Sequence, residues 1–244
     1  MHHGAVNPVR KIAKLGQPLT YRRAWRRLRR KIYPLPLAPL LAQIDAAELA
    51  QLRNKHLPET KTYEARIQHY VKYLDVERFL KLNIARVQDL NLHRLPPLDV
   101  LDIGCGGGFF LFILNQLSHR TLGLDVDSVP LFNALVPLLK VERVVCAVQA
   151  FVPLPDFGRK FDLVTGFSTA FQGGNRQTWR WGVPEWEFFL DDLRRHLKPN
   201  GRVFLGLNPS YAGRFYTPEI LRLFLSRGAK VERENVLLTL GKGL

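Results

Sequence analysis

The chain is predicted to fold as an α/β protein: a doubly wound, seven-stranded, mostly parallel sheet with helices on both faces, preceded by an N-terminal helical extension. Three observations predict it. Val100 to Phe110 holds a buried strand, a glycine turn and a helix start in eleven residues. Short apolar strands then alternate with helical segments to the C-terminus, the order that builds a parallel sheet. A second strand ends in a carboxylate, Asp125, 21 residues after Gly104.

Val100, Leu101 and Ile103 suit a strand covered on both faces. Gly104, Gly106 and Gly108 permit positive φ and let the backbone come close to a ligand, which marks a nucleotide-cofactor loop. Phe109 to Leu114 resumes as helix. Thr121 to Asp125 is the second strand, Val141 to Ala150 the third and Phe161 to Val164 the fourth. An amphipathic helix from Trp186 to Leu197 leads into the turn Lys198-Pro199-Asn200-Gly201 and a fifth strand, Arg202 to Leu207. Thr217-Pro218-Glu219 caps a further helix to Arg227, Gly228 stops it, and Ala229 to Leu240 supplies two more strands. Upstream, Tyr21 to Ile32, Ile44 to Leu52 and Tyr63 to Leu92 have helical spacing, with a break near His56-Leu57-Pro58. Three segments result: a basic tail (1–44), a helical accessory or lid segment (45–94) and a cofactor-binding domain (95–244).

A chain of 244 residues, 46% of them hydrophobic, can bury one large domain and a small accessory segment. Cys105 in the glycine loop and Cys146 in a predicted core strand form neither a zinc cluster nor a disulfide framework, so no metal is expected and a reducing, cytoplasmic compartment is. No apolar run approaches the ~20 residues that cross a bilayer. Residues 1–44 carry ten Lys or Arg and no acid, out of a net charge of +15.

Within that tail Tyr21, Trp25, Leu28 and Ile32 form a narrow apolar stripe on a helix otherwise covered with arginine. Three readings stay open: an interfacial helix on an anionic leaflet, placing the protein peripherally on the inner membrane face; a grip on RNA phosphates through residues 10–31; or a stripe docked on the domain with solvated arginines.

The loop reads Asp-x-Gly-x-Gly-x-Gly, and Phe109 stands where a dinucleotide-binding loop needs its third glycine. With Asp125 and the segment Leu197 to Leu205 (LKPNGRVFL), the chain from about Leu95 onward resembles the class I, Rossmann-like S-adenosylmethionine-dependent methyltransferases. The resemblance implies S-adenosylmethionine as cofactor. Gly104, Cys105, Gly106 and Gly108 would lie against its methionine and ribose, and Asp102 beneath them would orient its amino group. Asp125 and Val126 would meet the ribose diol, Gln149 and Ala150 the adenine, with Phe151 packed on the ring and Phe167 nearby.

Acceptor-side candidates follow the fourth and fifth strands: Ser168, Thr169, Asn208 and Tyr211, with His69, Tyr63, Tyr70 and Tyr73 from the lid segment. The insertion 173–185 is either a mobile substrate loop using Trp179, Trp181, Arg176 and Arg180 or a plug at the sheet edge. His196 reads as a cation favoured by a helix C-terminus rather than as a catalytic group. The expected activity is methyl transfer to an oxygen of a small molecule, lipid or glycan. An RNA methyltransferase and a non-catalytic cofactor- or RNA-binding adaptor are the alternatives.

Overall fold

The computed structural model describes residues 18–56, 70–173, 179–210 and 213–240. Among them, four α-helices with described bounds precede the sheet: α1 (Pro18–Ile32), α2 (Leu37–Leu41), α3 (Ala46–His56) and α4 (Val76–Asp89). The sheet then alternates with α5 (Phe109–Gln116), α6 (Pro130–Leu138), α7 (Val183–Arg195) and α8 (Pro218–Ser226). Its strands are β1 (Asp99–Ile103), β2 (Arg120–Asp125), β3 (Arg143–Val145), β4 (Phe161–Thr169), β5 (Leu197–Leu207), β6 (Lys230–Glu232) and β7 (Asn235–Thr239), in the spatial order β3-β2-β1-β4-β5-β7-β6. Every pairing is parallel except those of β7, which runs antiparallel to β5 and β6. The chain steps outward from β1 to β3 and returns to β4, so the order reverses between β1 and β4. Such a switch point opens a crevice at the carboxyl ends of the strands.

Local chemistry fixes the helix starts. Asp75 Oδ1 accepts from Arg78 N at 3.1 Å to cap α4, and Thr217 Oγ1 accepts from Ile220 N at 3.4 Å to cap α8. At α7, Glu185 reaches back to accept from Gly182 N at 2.8 Å. Trp186, Phe189, Leu190 and Leu193 then recur at helical spacing, and all four are buried. They cover one face of the sheet together with α8, while α4, α5 and α6 cover the other. Leu40 and Ile44 join the core under α4 to α6, so the chain is already packed before α3 begins.

The reading of Val141–Ala150 as a strand is too long. β3 ends at Val145, and residues 146–150 leave the sheet as an irregular segment over the crevice. The turn 198–201 sits inside β5, looped out where the β4–β5 register jumps from Phe161↔Leu197 to Leu163↔Arg202, with Asn200 at φ 62°. Among the described residues, helix in the 63–92 stretch is interrupted by a 3-10 turn at Lys72–Leu74 before α4 begins at Val76.

An ionic knot ties the sheet at the end remote from the crevice. Arg120 grips Asp99 with two bonds of 2.7 and 2.6 Å, while Lys198 bonds both Asp99 and, at 2.8 Å, Asp162. The Arg120 guanidinium, with Lys198 helping, holds the Asp99 carboxyl down at about 2.

Of the stripe, Trp25, Leu28 and Ile32 are 62, 48 and 53% exposed, against the reading that buries them on the domain; the Tyr21 side chain lies outside the described residues. α1 is held instead by polar contacts. Arg30 makes a bidentate pair with Asp89 of α4 at 3.0 and 2.6 Å, and Gln88 Nε2 donates to the carbonyls of Arg30 (3.3 Å) and Tyr33 (2.9 Å).

Candidate active site

A cleft of about 710 Å³ opens over the carboxyl ends of β1, β2 and β4. Of the glycine loop Gly104 lines it; Cys105, Gly106 and Gly108, expected against the cofactor, are not among its lining residues. Gly104 and Gly108 stand at φ 73° and 82°, where a residue with a Cβ is strained, and a Cβ on Gly108 would also press Val141 at 3.1 Å. The loop amides are consumed internally. Gly104 N and Cys105 N both donate to Leu124 O (2.7 and 3.3 Å), Gly108 N donates to Cys105 O (3.0 Å), and Gly106 N donates to Asp125 Oδ2 (2.6 Å). The glycines therefore supply close approach rather than a nest of donors.

Asp125 closes β2 at the mouth of the cleft. Its second oxygen accepts from Val126 N at 2.7 Å, and burial raises its pKa against the pull of those two amides. It is the only charged group among the described residues lining the cleft. A pyrophosphate there would face a carboxylate with no answering cation, whereas an adenosyl group with free ribose hydroxyls would meet an acceptor. The donor set fits S-adenosylmethionine on this ground.

Gln149 and Ala150 line the cleft from the segment after β3. Phe151 does not. At φ 58° the chain turns there, and the ring packs at 5.9 Å on Phe188 of α7, away from the cleft. Phe171 and Trp179 take the aromatic wall in its place. The insertion splits between its two readings: Trp181 is buried in a cluster with Phe171, Trp186 and Phe189 as a plug, while Trp179 is half exposed at the cleft. Cys146, expected mid-strand in the core, lines the cleft because β3 stops one residue before it. Cys105 is buried, and burial holds its thiol far above the usual range.

On the far side of β4 lies a second hollow of about 600 Å³. The two meet at residues 167–169. A register shift between Phe167 and Thr169 leaves Ser168 bulged at φ 55°, a conformation uncommon for a residue with a side chain. Thr169 faces the first cleft; Phe167 and Ser168 face the second. Asn208, just past β5, donates to Ser168 O at 2.7 Å and pins the bulge. Above it Arg86 of α4 lies over the Phe167 ring, 4.4 Å from its centroid, with Nη2 3.5 Å from Ser168 Oγ and Nη1 2.9 Å from Asn83 Oδ1. Burial lowers the Arg86 pKa while the Asp102 charge opposes the shift.

Asp102 lies behind the loop, wholly buried, accepting from Thr165 Oγ1 at 2.7 Å. Burial raises its pKa to about 7. Tyr70 and Tyr73 pack edge-on against Phe132, and Tyr73 stacks on Phe79 at 4.2 Å. His196 is the C-cap of α7 and packs beside Phe157; burial lowers its pKa, against the pull of the Asp192 charge. Tyr63, His69, Arg176 and Tyr211 lie outside the described residues.

Residues 101–205 match the family described as "Methyltransferase domain". This stretch of the chain therefore carries a methyltransferase domain. No curated protein sequence matches the chain. Solved structures similar to this chain include Streptomyces venezuelae DesVI, at 20% identity and a TM-score of 0.43, covering 59% of this chain and 57% of that one. A ribosomal protein L11 methylase from Lactobacillus delbrueckii subsp. bulgaricus is similar at 16% identity and a TM-score of 0.42, covering 66% and 75%. CalS10, an amino pentose methyltransferase from Micromonospora echinaspora, is similar at 19% identity and a TM-score of 0.43, covering 65% and 62%. The chain thus spans little more than half the length of DesVI.

One residue beside the bulge escapes sequence reading. Arg86 follows Phe79 and Asn83 at i+7 and i+3, which puts it on the buried face of α4; that spacing was its only signal.

Proposed function

We propose that this chain transfers a methyl group from S-adenosylmethionine to an oxygen of a small molecule, lipid or glycan. The observation that carries the reading is the junction at Ser168, where a cleft suited to an adenosyl donor adjoins a separate hollow across one bulged strand end. When bound, the cofactor supplies a sulfonium methyl that the acceptor oxygen attacks as the C–S bond breaks, leaving S-adenosylhomocysteine, with the proton of a hydroxyl acceptor passing to solvent. The chain's own residues align the partners. Asp125 is placed to accept from the ribose hydroxyls, Gln149 to meet the adenine amine, and Asp102 to set a negative charge behind the methionine end. Arg86, Ser168 and Asn208 shape the acceptor side.

The exposed Trp25, Leu28 and Ile32 beside Arg27, Arg29 and Arg30 support a peripheral position on an anionic, cytoplasmic membrane face, since phosphate contact alone leaves an apolar stripe without a use. The density of arginine on α1 favours the second reading, an RNA acceptor. Incubation of the protein with labelled S-adenosylmethionine and separated lipid, metabolite and RNA fractions tests both. Label in the lipid or metabolite fraction supports the first reading and label in RNA the second; cofactor binding with no label in any fraction would leave an adaptor and overturn both.

A further inference from the structure

The second hollow runs away from the donor. Its floor is two rows of residues paired across β4, β5, β7 and β6. One row is Phe204, Leu237 and Lys230; the other is Phe167, Gly206, Asn235 and Glu232. None of α5 to α8 contributes a residue to its lining. Its roof is α1, through Trp25 and Arg29, the same helix that turns Leu28 and Ile32 outward. Three strand spacings separate Ser168 on β4 from Lys230 on β6, about 14 Å at ~4.8 Å each.

The charges along the groove are unequal in their partners. Asp89 is taken by Arg30, Glu234 lies 3.6 Å from Arg233, and Glu232 is engaged as well. The side chains of Arg29 and Lys230 make no ion pair or hydrogen bond among the described residues, so two cations without an ion pair line the groove, Lys230 three strand spacings from Ser168. An occupant that satisfies floor and cations together has an apolar body and one anionic group.

Resting on the reading of the chain as a methyltransferase, we infer that the acceptor is a single-chain acidic lipid. Its hydrocarbon lies on Phe204 and Leu237, its anionic group meets Arg29 and Lys230, and the methyl-accepting atom lies at Ser168, about 14 Å away by strand spacing. The hollow has the size of sites that hold such molecules. The lipid source follows from the roof: α1 lines the groove through Trp25 and leaves Leu28 and Ile32 exposed beside it, so an acceptor leaving an anionic bilayer at α1 reaches the groove directly.

Gly206 provides a clean perturbation. It lies mid-floor without a positive φ, and a Cβ built there meets only ordinary contacts of 3.7 Å with Asn235 and Phe167, so Gly206→Val fills the groove without straining the strand. The probe is the fluorescent fatty acid cis-parinaric acid, titrated into the full chain with and without S-adenosylhomocysteine, alongside its methyl ester. The acid should bind at least about tenfold more tightly than the ester, and Arg29→Gln or Lys230→Gln should each weaken the acid about threefold to fivefold while sparing the ester. Gly206→Val should abolish binding of both probes and leave calorimetric binding of S-adenosylhomocysteine unchanged. Equal binding of acid and ester, normal probe binding by Gly206→Val, or no probe binding by the unmodified chain would each overturn the inference. Failure of the unmodified chain to bind S-adenosylhomocysteine would instead remove the methyltransferase reading beneath it.

Discussion

Asp102→Asn isolates the electrostatic cost of the group beneath the glycine loop. The native carboxyl is wholly buried and accepts one bond, from Thr165, with a pKa of about 7 against an ordinary 3.8. Between those two pH values the folded chain holds a proton that the unfolded chain has released, so stability from this group falls as pH rises from about 4 to about 7. A span of about three pH units at ~1.36 kcal/mol each sets an upper bound of about 4 kcal/mol. Asp99, held at about 2, works in the opposite sense, but its contribution is complete above about pH 4 and constant across this window. Asparagine keeps the bond from Thr165 and removes the titration.

Urea unfolding followed by circular dichroism at pH 5 and pH 8 measures the difference. The stability advantage of the variant should grow by about 2 to 3 kcal/mol between pH 5 and pH 8, the part of the window still uncrossed at pH 5. Parallel stability profiles across that range would refute the assignment of the raised pKa to Asp102. The cofactor adds a second readout. A cationic ammonium brought near Asp102 favours the carboxylate, so binding of S-adenosylmethionine near pH 7 should release a proton, seen by calorimetry in buffers of different ionisation enthalpy. Asp102→Asn should lose that release; an unchanged release would place the titrating group elsewhere.

Asp125→Ala should weaken S-adenosylhomocysteine by about 1 to 3 kcal/mol, because it removes the acceptor for the ribose and frees Gly106 N and Val126 N together; calorimetry showing unchanged affinity would move the ribose contact to another residue. Arg30→Ala should raise amide hydrogen exchange across Pro18–Ile32 with a global loss of only about 1 kcal/mol, since the half-exposed pair with Asp89 is the main polar tie of α1. No change in exchange would mean that the groove contacts of Trp25 and Arg29 hold the helix without it. Trp25→Ser should reduce sedimentation with anionic liposomes more than Arg27→Ala does, because the exposed indole contributes both apolar area and interfacial preference. The reverse order would favour phosphate contact and the RNA reading.

What was legible in the sequence is what depends on neighbours along the chain. The glycine loop, the carboxylate closing β2 and the turn inside β5 are each written in fewer than a dozen consecutive residues. The structure places the first two at the crevice and the third at the opposite end of the sheet, beside the knot of Asp99, Asp162 and Lys198. The errors share a different cause. Residues 146–150, small and mostly apolar, look like strand until the ladder to β2 ends at Val145, and Phe151 looks like an adenine platform until a positive φ turns it onto α7.

The groove is beyond local reading altogether, because it exists only through register. Lys230 and Leu237 are far from Phe204 along the chain, yet the three are consecutive across the sheet. Ser168 shows why that matters for chemistry. A regular strand points alternate residues to opposite faces, so without a bulge Phe167 and Thr169 would share a face. The bulge at Ser168 breaks that alternation, turning Thr169 to the donor cleft while Phe167 stays with the groove, and Asn208 holds it so. One extra residue in β4 thus sets Phe167 and Ser168 on the groove and Thr169 on the cleft, so the two hollows adjoin at this strand end.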